Sequence, residues 1–332
     1  MELRNFLFYK DFNNPERVKQ IVLTMFEYLL LFLIFFSFSQ EDFVLGKIGL
    51  DNISQISLLD VGNSEPVITS IEVTNPIILS PNSTKLVLCS SIIEEYQGDV
   101  DLKNVSAEFY ELASGKSFGS LDDKNDHYTN SSCILDTNYG DSYTAQANCT
   151  FEVAYYANPG SWNCTIEVYD FSDFSVRGSN STEIETLLAL GLPDSLNFGI
   201  VNATTVSSEA ALNITNYGNV EFNLTLEGYA QTRGDGYAMN CSKGSNKLIN
   251  AEYEKYNLTA STAGSLTLSE FENNYLNLTS SPVTKYFGLD YRQSTAAGES
   301  SDNTYWRIYV PRGVAGTCEG NIIFGATTGI GS

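Results

Sequence analysis

Histidine occurs once in this chain of 332 residues, at His127, beside forty acidic side chains, so any imidazole chemistry rests on that one residue. It follows the run Asp122-Asp123-Lys124-Asn125-Asp126 and reads as part of a polar loop. Neither a His-Glu-x-x-His motif nor a phosphate-cradling glycine loop occurs. Carboxylate pairs such as Glu94-Glu95 could in principle hydrolyse a glycoside, but among forty acids a pair carries no information. The expectation is a protein that is not an enzyme, with no catalytic and no cofactor-binding residue. None of the six cysteines forms a Cys-x-x-Cys, and His127 has no cysteine at ligand spacing, which argues against zinc. Calcium is the one ion for which the sequence clusters oxygens, in Asp122–Asp126 and in Asp136-Thr137-Asn138-Tyr139-Gly140-Asp141. Neither stretch has the spacing or the bidentate Glu of a calcium loop, so both read as solvated acidic loops and no metal ligand is assigned.

The side chains with the clearest chemistry are asparagines. Thirteen stand in Asn-x-Ser/Thr: Asn52, Asn82, Asn104, Asn130, Asn148, Asn163, Asn180, Asn202, Asn213, Asn223, Asn240, Asn257 and Asn277. Chance would give about five or six, and all lie downstream of one apolar run, so the chain reads as exported and N-glycosylated. The even cysteine count (Cys89, Cys133, Cys149, Cys164, Cys241, Cys318) then reads as three disulfides. Net charge is −22, with the excess after residue 40, which argues against nucleic acid and anionic lipid surfaces as partners. Arg233-Gly234-Asp235, the tripeptide that integrins read in animal adhesion proteins, is also ordinary turn chemistry and is taken as a turn.

The elements that must position these groups begin with Ile21–Phe38, an apolar segment spanning roughly 27 Å as a helix at ~1.5 Å per residue. Basic residues precede it, so residues 1–20 form a cytoplasmic leader and the remainder is expected outside the cell, anchored by this segment. A cleaved signal ending at Ser37-Phe38-Ser39 is the alternative. Glu27 interrupts the apolar run, and Phe26-Glu27-Tyr28-Leu29 resembles the Glu-Tyr pair of archaeal type IV pilin-like proteins, although Lys19 stands where that family has a small residue. The resemblance implies self-assembly, with Glu27 pairing with a neighbouring subunit's amino terminus in a filament core.

Residues 39–66 read as a linker, and beyond them short Val-, Ile-, Thr- and aromatic-rich runs alternate with Gly, Asn and Ser clusters, the pattern of β-sandwiches. Two domains are expected, 67–192 and 193–332. In Trp162–Asp170, Trp162, Cys164, Ile166 and Val168 share one face at period two. Asn158-Pro159-Gly160-Ser161-Trp162-Asn163-Cys164 resembles the turn and penultimate strand of Ig-like surface domains, with Trp162 in place of the tyrosine-corner Tyr and without its hydroxyl bond. That resemblance implies a Cys89–Cys164 bridge, leaving Cys133–Cys149 around Asp136–Tyr143. The runs Leu196–Val201, Ala211–Asn219 and Phe222–Leu226 resemble the opening of Ig-like domains of the Hydin and major-sperm-protein type and of related archaeal and bacterial adhesion modules. Leu212 and Ile214 face one way, Gly218 is read as supplying a left-handed turn, and Phe222, Leu224 and Leu226 return inward. Cys241 is expected to pair with Cys318 and pin the insertion 242–300 to the last strand. Together these readings describe a mainly β, disulfide-bonded, glycosylated surface protein for adhesion or envelope structure, meeting a protein or glycan partner, with a pilin-like subunit as the alternative.

Overall fold

A computed structural model describes residues 19–20, 22–28 and 56–329. The chain divides into two units, Met1–Val61 and Gly62–Ser332. In the first, residues 22–28 are helical and exposed, Glu27 among them. Among the described residues no helix is long and apolar enough to cross a membrane. Most of Ile21–Phe38, and with it the anchor and filament readings, lies outside the described residues, as does Asn52.

The second unit is antiparallel β-structure. Its first half contains β1 (Val67–Val73), β2 (Thr84–Glu94), β3 (Leu102–Glu111), β4 (His127–Asn130), β5 (Ile134–Asp136), β6 (Thr144–Ala154), β7 (Gly160–Asp170) and β8 (Ser175–Ile184). They pair as β1-β2-β6-β5 and β4-β3-β7-β8, the two-sheet layout of an immunoglobulin-type sandwich. Strand alternation explains the core. Trp162, Cys164, Ile166 and Val168 of β7 point inward and are fully buried, meeting Val87, Cys89, Phe151 and Val153 of the other sheet. Phe109 of β3 stacks on Trp162 with ring centroids 4.8 Å apart. The Trp162 indole N–H donates to the Asn158 carbonyl at 2.9 Å. Trp162 is thus not a corner residue without a bond. The indole supplies a donor to the backbone four residues upstream, where a tyrosine would use its hydroxyl.

The second half contains β9 (Leu190–Gly191), β10 (Ala210–Asn216), β11 (Phe222–Tyr229), β12 (Tyr237–Gly244), β13 (Leu248–Asn250), β14 (Glu254–Asn257), β15 (Leu276–Asn277), β16 (Val283–Leu289), β17 (Ser301–Ile308), β18 (Val314–Glu319) and β19 (Asn321–Thr327). A five-stranded sheet, β15-β14-β17-β10-β9, packs against two three-stranded sheets, β16-β11-β19 and β13-β12-β18. Leu212, Ile214, Phe222, Leu224, Leu226 and Trp306 fill the main core. Between β18 and β19 only glycine fits at 320, because a Cβ there would lie 1.8 Å from the Ala238 carbonyl oxygen.

One boundary and one glycine differ from the sequence reading. β8 ends at Ile184, and Leu190–Gly191 already pair with Asn216 and Thr215, so the second sandwich begins before residue 193. Gly218 is needed for close approach and not for a left-handed turn: a Cβ there would meet the Leu187 carbonyl oxygen at 2.2 Å.

Candidate functional site

The three disulfides divide the structural labour. Cys89–Cys164 joins β2 to β7 across the first sandwich, and Cys133–Cys149 ties the approach to β5 onto β6. Cys241–Cys318 links directly opposed residues of neighbouring strands β12 and β18. It therefore does not tie the 242–300 insertion to the last strand, which is β19.

His127 is not a solvated loop residue. It opens β4, is fully buried, and stacks on Tyr110. The chain between β3 and β4 folds over the outer face of the sheet, with the Gly119 N–H donating to Glu108 Oε2 at 2.6 Å and the Arg177 guanidinium 4.1 Å above the Phe118 ring. Under that cover His127 Nε2 lies 3.0 Å from Glu108 Oε2 and Nδ1 lies 2.8 Å from Asp122 Oδ1. Both ring nitrogens face carboxylates, so neither is left to activate a nucleophile. The covering chain also includes Gly115-Lys116-Ser117-Phe118-Gly119, a Gly-x-Ser-x-Gly spacing that the sequence reading missed. It lies in turns between two strands, with Ser117 exposed, and lacks the strand-to-helix elbow that gives the motif its chemistry.

A second cluster joins the two sandwiches. Asn219 is fully buried: its Oδ1 accepts from Leu187 N–H at 2.7 Å, and its Nδ2 donates to the Ala157 carbonyl at 3.0 Å and the Glu185 carbonyl at 3.1 Å. Tyr155 packs edge-on against Tyr156 and Tyr217 and donates to Glu299. Arg292 lies 4.5 Å above the Tyr156 ring and pairs with Glu299 at 3.1 Å. Asn125 Nδ2 donates to the Arg292 carbonyl at 2.7 Å, and Thr295 N–H donates to Asp123 Oδ1 at 3.1 Å. The sequence offered Asn216-Tyr217-Gly218-Asn219 only as a turn, because nothing local tells that Asn219 reaches another domain.

The acidic groups sort by burial. Asp122, Asp123 and Asp126 turn to His127, Thr295 and Lys116 respectively and do not converge on an ion position. Asp136 and Asp141 accept from Asn138 and Tyr143 N–H within their own turns, so the calcium reading of these two loops is withdrawn. Instead, one carboxylate oxygen each of Glu95, Asp101 and Asp170 come within 4.8 Å of one another. Glu95 and Asp170 are both fully buried. Burial, then the charges of Asp101 and Asp170, push the Glu95 carboxyl above its usual range. Glu254 is also buried, on the wall of a cleft of about 360 Å³ formed with Phe198, Leu212, Met239 and Phe324. Burial alone pushes its carboxyl up to about 8. In the Arg-Gly-Asp turn, Arg233 forks onto Glu227, and Asp235 accepts from the N–H groups of Ala230, Gln231, Thr232 and Tyr237. Burial would raise the Asp235 carboxyl, but those four donors outweigh it and hold it at about 2. Both charges of the tripeptide are engaged within the fold.

Of the sequons, Asn82, Asn104, Asn180, Asn202, Asn213 and Asn277 are exposed, while Asn130, Asn148, Asn163, Asn240 and Asn257 are half-buried. Asn223 is 3% exposed and its Oδ1 accepts from Phe287 and Gly288 N–H at 2.9 and 3.0 Å. It is removed from the acceptor set, because a glycan on that buried amide would have no room.

No protein-family model matches the chain, and no curated protein matches it. Among solved structures it is similar to a chain of a chaperone–tip adhesin complex of CFA/I fimbriae, at 10% identity over 80% of this chain and 91% of that one, with a TM-score of 0.30. It is similar to the C-terminal domain of the Streptococcus agalactiae AgI/II polypeptide BspA, at 9% identity over 80% and 96%, with a TM-score of 0.22. A carbohydrate-binding module of the β-sandwich superfamily gives 10% identity over 80% and 97%, with a TM-score of 0.24. Likenesses at this level assign neither ancestry nor activity. The class rests on the chain's own strands: a mainly β protein of two joined sandwiches with three disulfides.

Proposed function

We propose that this chain is a non-enzymatic, glycosylated component of a cell surface, of archaeal envelope type, whose sandwiches form one stiff module that presents loops and sheet edges to a protein or glycan partner. The observation that carries the reading is the joint around Asn219, Tyr155 and Arg292, where buried hydrogen bonds and edge-packed tyrosine rings fill the space between domains. Domains joined through small polar contacts are expected to move relative to one another, and a filled, hydrogen-bonded joint opposes that motion. Three disulfides suit an oxidising exterior. The absence of a free ring nitrogen on His127 weighs against hydrolytic chemistry.

The test is mass spectrometry of the native protein, covering its glycopeptides and its amino-terminal peptide, with membrane-impermeant labelling of intact cells. The expected result is surface labelling, glycans on exposed sequons such as Asn104 and Asn213, and none on Asn223. An unlabelled, unglycosylated protein would overturn the proposal. Cleavage near Gln20 would transfer it to the filament subunit, with Glu27 early in a mature helix.

A further inference from the structure

We propose that Glu95, Asp101 and Asp170 form a calcium site at the end of the first sandwich where the chain enters it. The three residues come from different elements: Glu95 just past β2, Asp101 in the tight turn before β3, and Asp170 at the end of β7. Folding therefore gathers three like charges. Among the described residues no Lys, Arg or His pairs with any of them, and the nearby Lys103 is bound to Asp173 instead.

The second observation is an orphaned atom. Glu95 is fully buried, and its Oε2 has no hydrogen-bond partner. A buried carboxylate oxygen left unpaired costs the desolvation of a charged group, which native proteins rarely tolerate without a proton or an ion. Its other oxygen accepts from Gln97 N–H at 3.2 Å and faces the Gln97 side-chain amide. Asp170 is held in place by three donors: Oδ1 accepts from Ser172 and Phe174 N–H at 2.9 Å each, and Oδ2 accepts from Asn63 Nδ2 at 2.6 Å.

All-oxygen donors select a hard cation over zinc or copper. A spread within 4.8 Å suits calcium, whose opposed ligands stand about 4.6–5.2 Å apart at Ca–O distances of 2.3–2.6 Å. Water completes the shell. Because Asn63 bonds to Asp170, the ion would also fix the entry segment to the base of the sandwich.

The test is calcium chloride titration of the full chain, read by thermal unfolding and native mass spectrometry. One calcium per chain is expected, with a midpoint rise of about 5–10 °C at a hundredfold excess over Kd, reversed by chelation. Glu95→Gln should unfold no earlier than the parent without calcium, since it removes an unpaired buried charge, and should show no rise with it. If that variant fails to fold, Asp101→Asn at the half-buried position gives the same readout. No midpoint change up to about 10 mM calcium, above the weak extracellular range, would overturn the site. So would an unaltered rise in Glu95→Gln or Asp101→Asn, or a response to magnesium as large as that to calcium.

Discussion

Replacing Glu254 by Gln should make the second sandwich less stable in acid and more stable in base, with a crossover between. Glu254 is 2% exposed, in a cleft lined by Phe198, Leu212, Met239 and Phe324. Its folded pKa of about 8 lies above the ordinary 4.5. Below about pH 4.5 both folded and unfolded chains hold the proton, and the group contributes no pH dependence. Between 4.5 and 8 the unfolded chain releases the proton while the folded chain keeps it, so stability falls as pH rises. At ~1.4 kcal/mol per unit, the 3.5-unit gap between 4.5 and about 8 corresponds to a loss of about 5 kcal/mol above pH 8, and about 3 kcal/mol at pH 7. The Gln amide carries no such dependence but costs ~1–3 kcal/mol when buried without partners. The variant should therefore be about 1–3 kcal/mol less stable near pH 5 and about 2–4 kcal/mol more stable near pH 8. The assay is urea unfolding at several pH values, followed by tryptophan fluorescence. One tryptophan lies in each sandwich, Trp162 and Trp306, so a Trp162→Phe background isolates the second. Subtracting the parent curve from the variant curve cancels every other titrating group. Parallel curves would refute the reasoning, and would mean that water reaches the Glu254 carboxyl.

Two further perturbations follow from single side chains. Trp162→Phe removes the indole bond to Asn158 and part of the stack with Phe109, and should cost about 2–4 kcal/mol in denaturant unfolding of the first sandwich. Asn219→Ala strips one acceptor and two donors from the joint. It should cost ~1–3 kcal/mol, raise the radius of gyration in solution scattering, and open the 185–189 crossing to protease. An unchanged scattering profile would mean that the tyrosine cluster alone holds the joint.

The strands were legible because their information is local. Alternation in Trp162–Asp170 and in Leu212–Ile214 needs only the neighbours two residues away, and both sets are buried as period two demands. The turn at Asn216–Asn219 was legible as a turn for the same reason. Its glycine was misread, because Gly218 is dictated by the Leu187 carbonyl, some thirty residues earlier in the chain. His127 failed in the same way, since its partner Glu108 is chosen by how the chain folds back, whereas the Trp162 bond to the Asn158 carbonyl is local and depends on the shape of the turn between them.

The acids show most clearly why composition cannot find such sites. Glu94-Glu95 is an uninformative pair in a sequence with forty acids. Alternation at the end of β2 leaves Glu94 half-buried at the strand end and turns Glu95 inward, where Asp101 and Asp170 arrive from elsewhere in the chain. Asp122–Asp126 and Asp136–Asp141 have the higher local density of oxygens, yet they spend them on His127, Thr295 and their own backbone N–H groups. Local density is therefore the wrong signal. A carboxylate in a loop finds donors at little cost, since turns expose N–H groups close by. A carboxylate carried inward at a strand end finds few, and its desolvation must be met by a proton, as at Glu254, or by a cation, as proposed at Glu95. Strand register, more than the spacing of acidic residues, decides which of the two the fold requires.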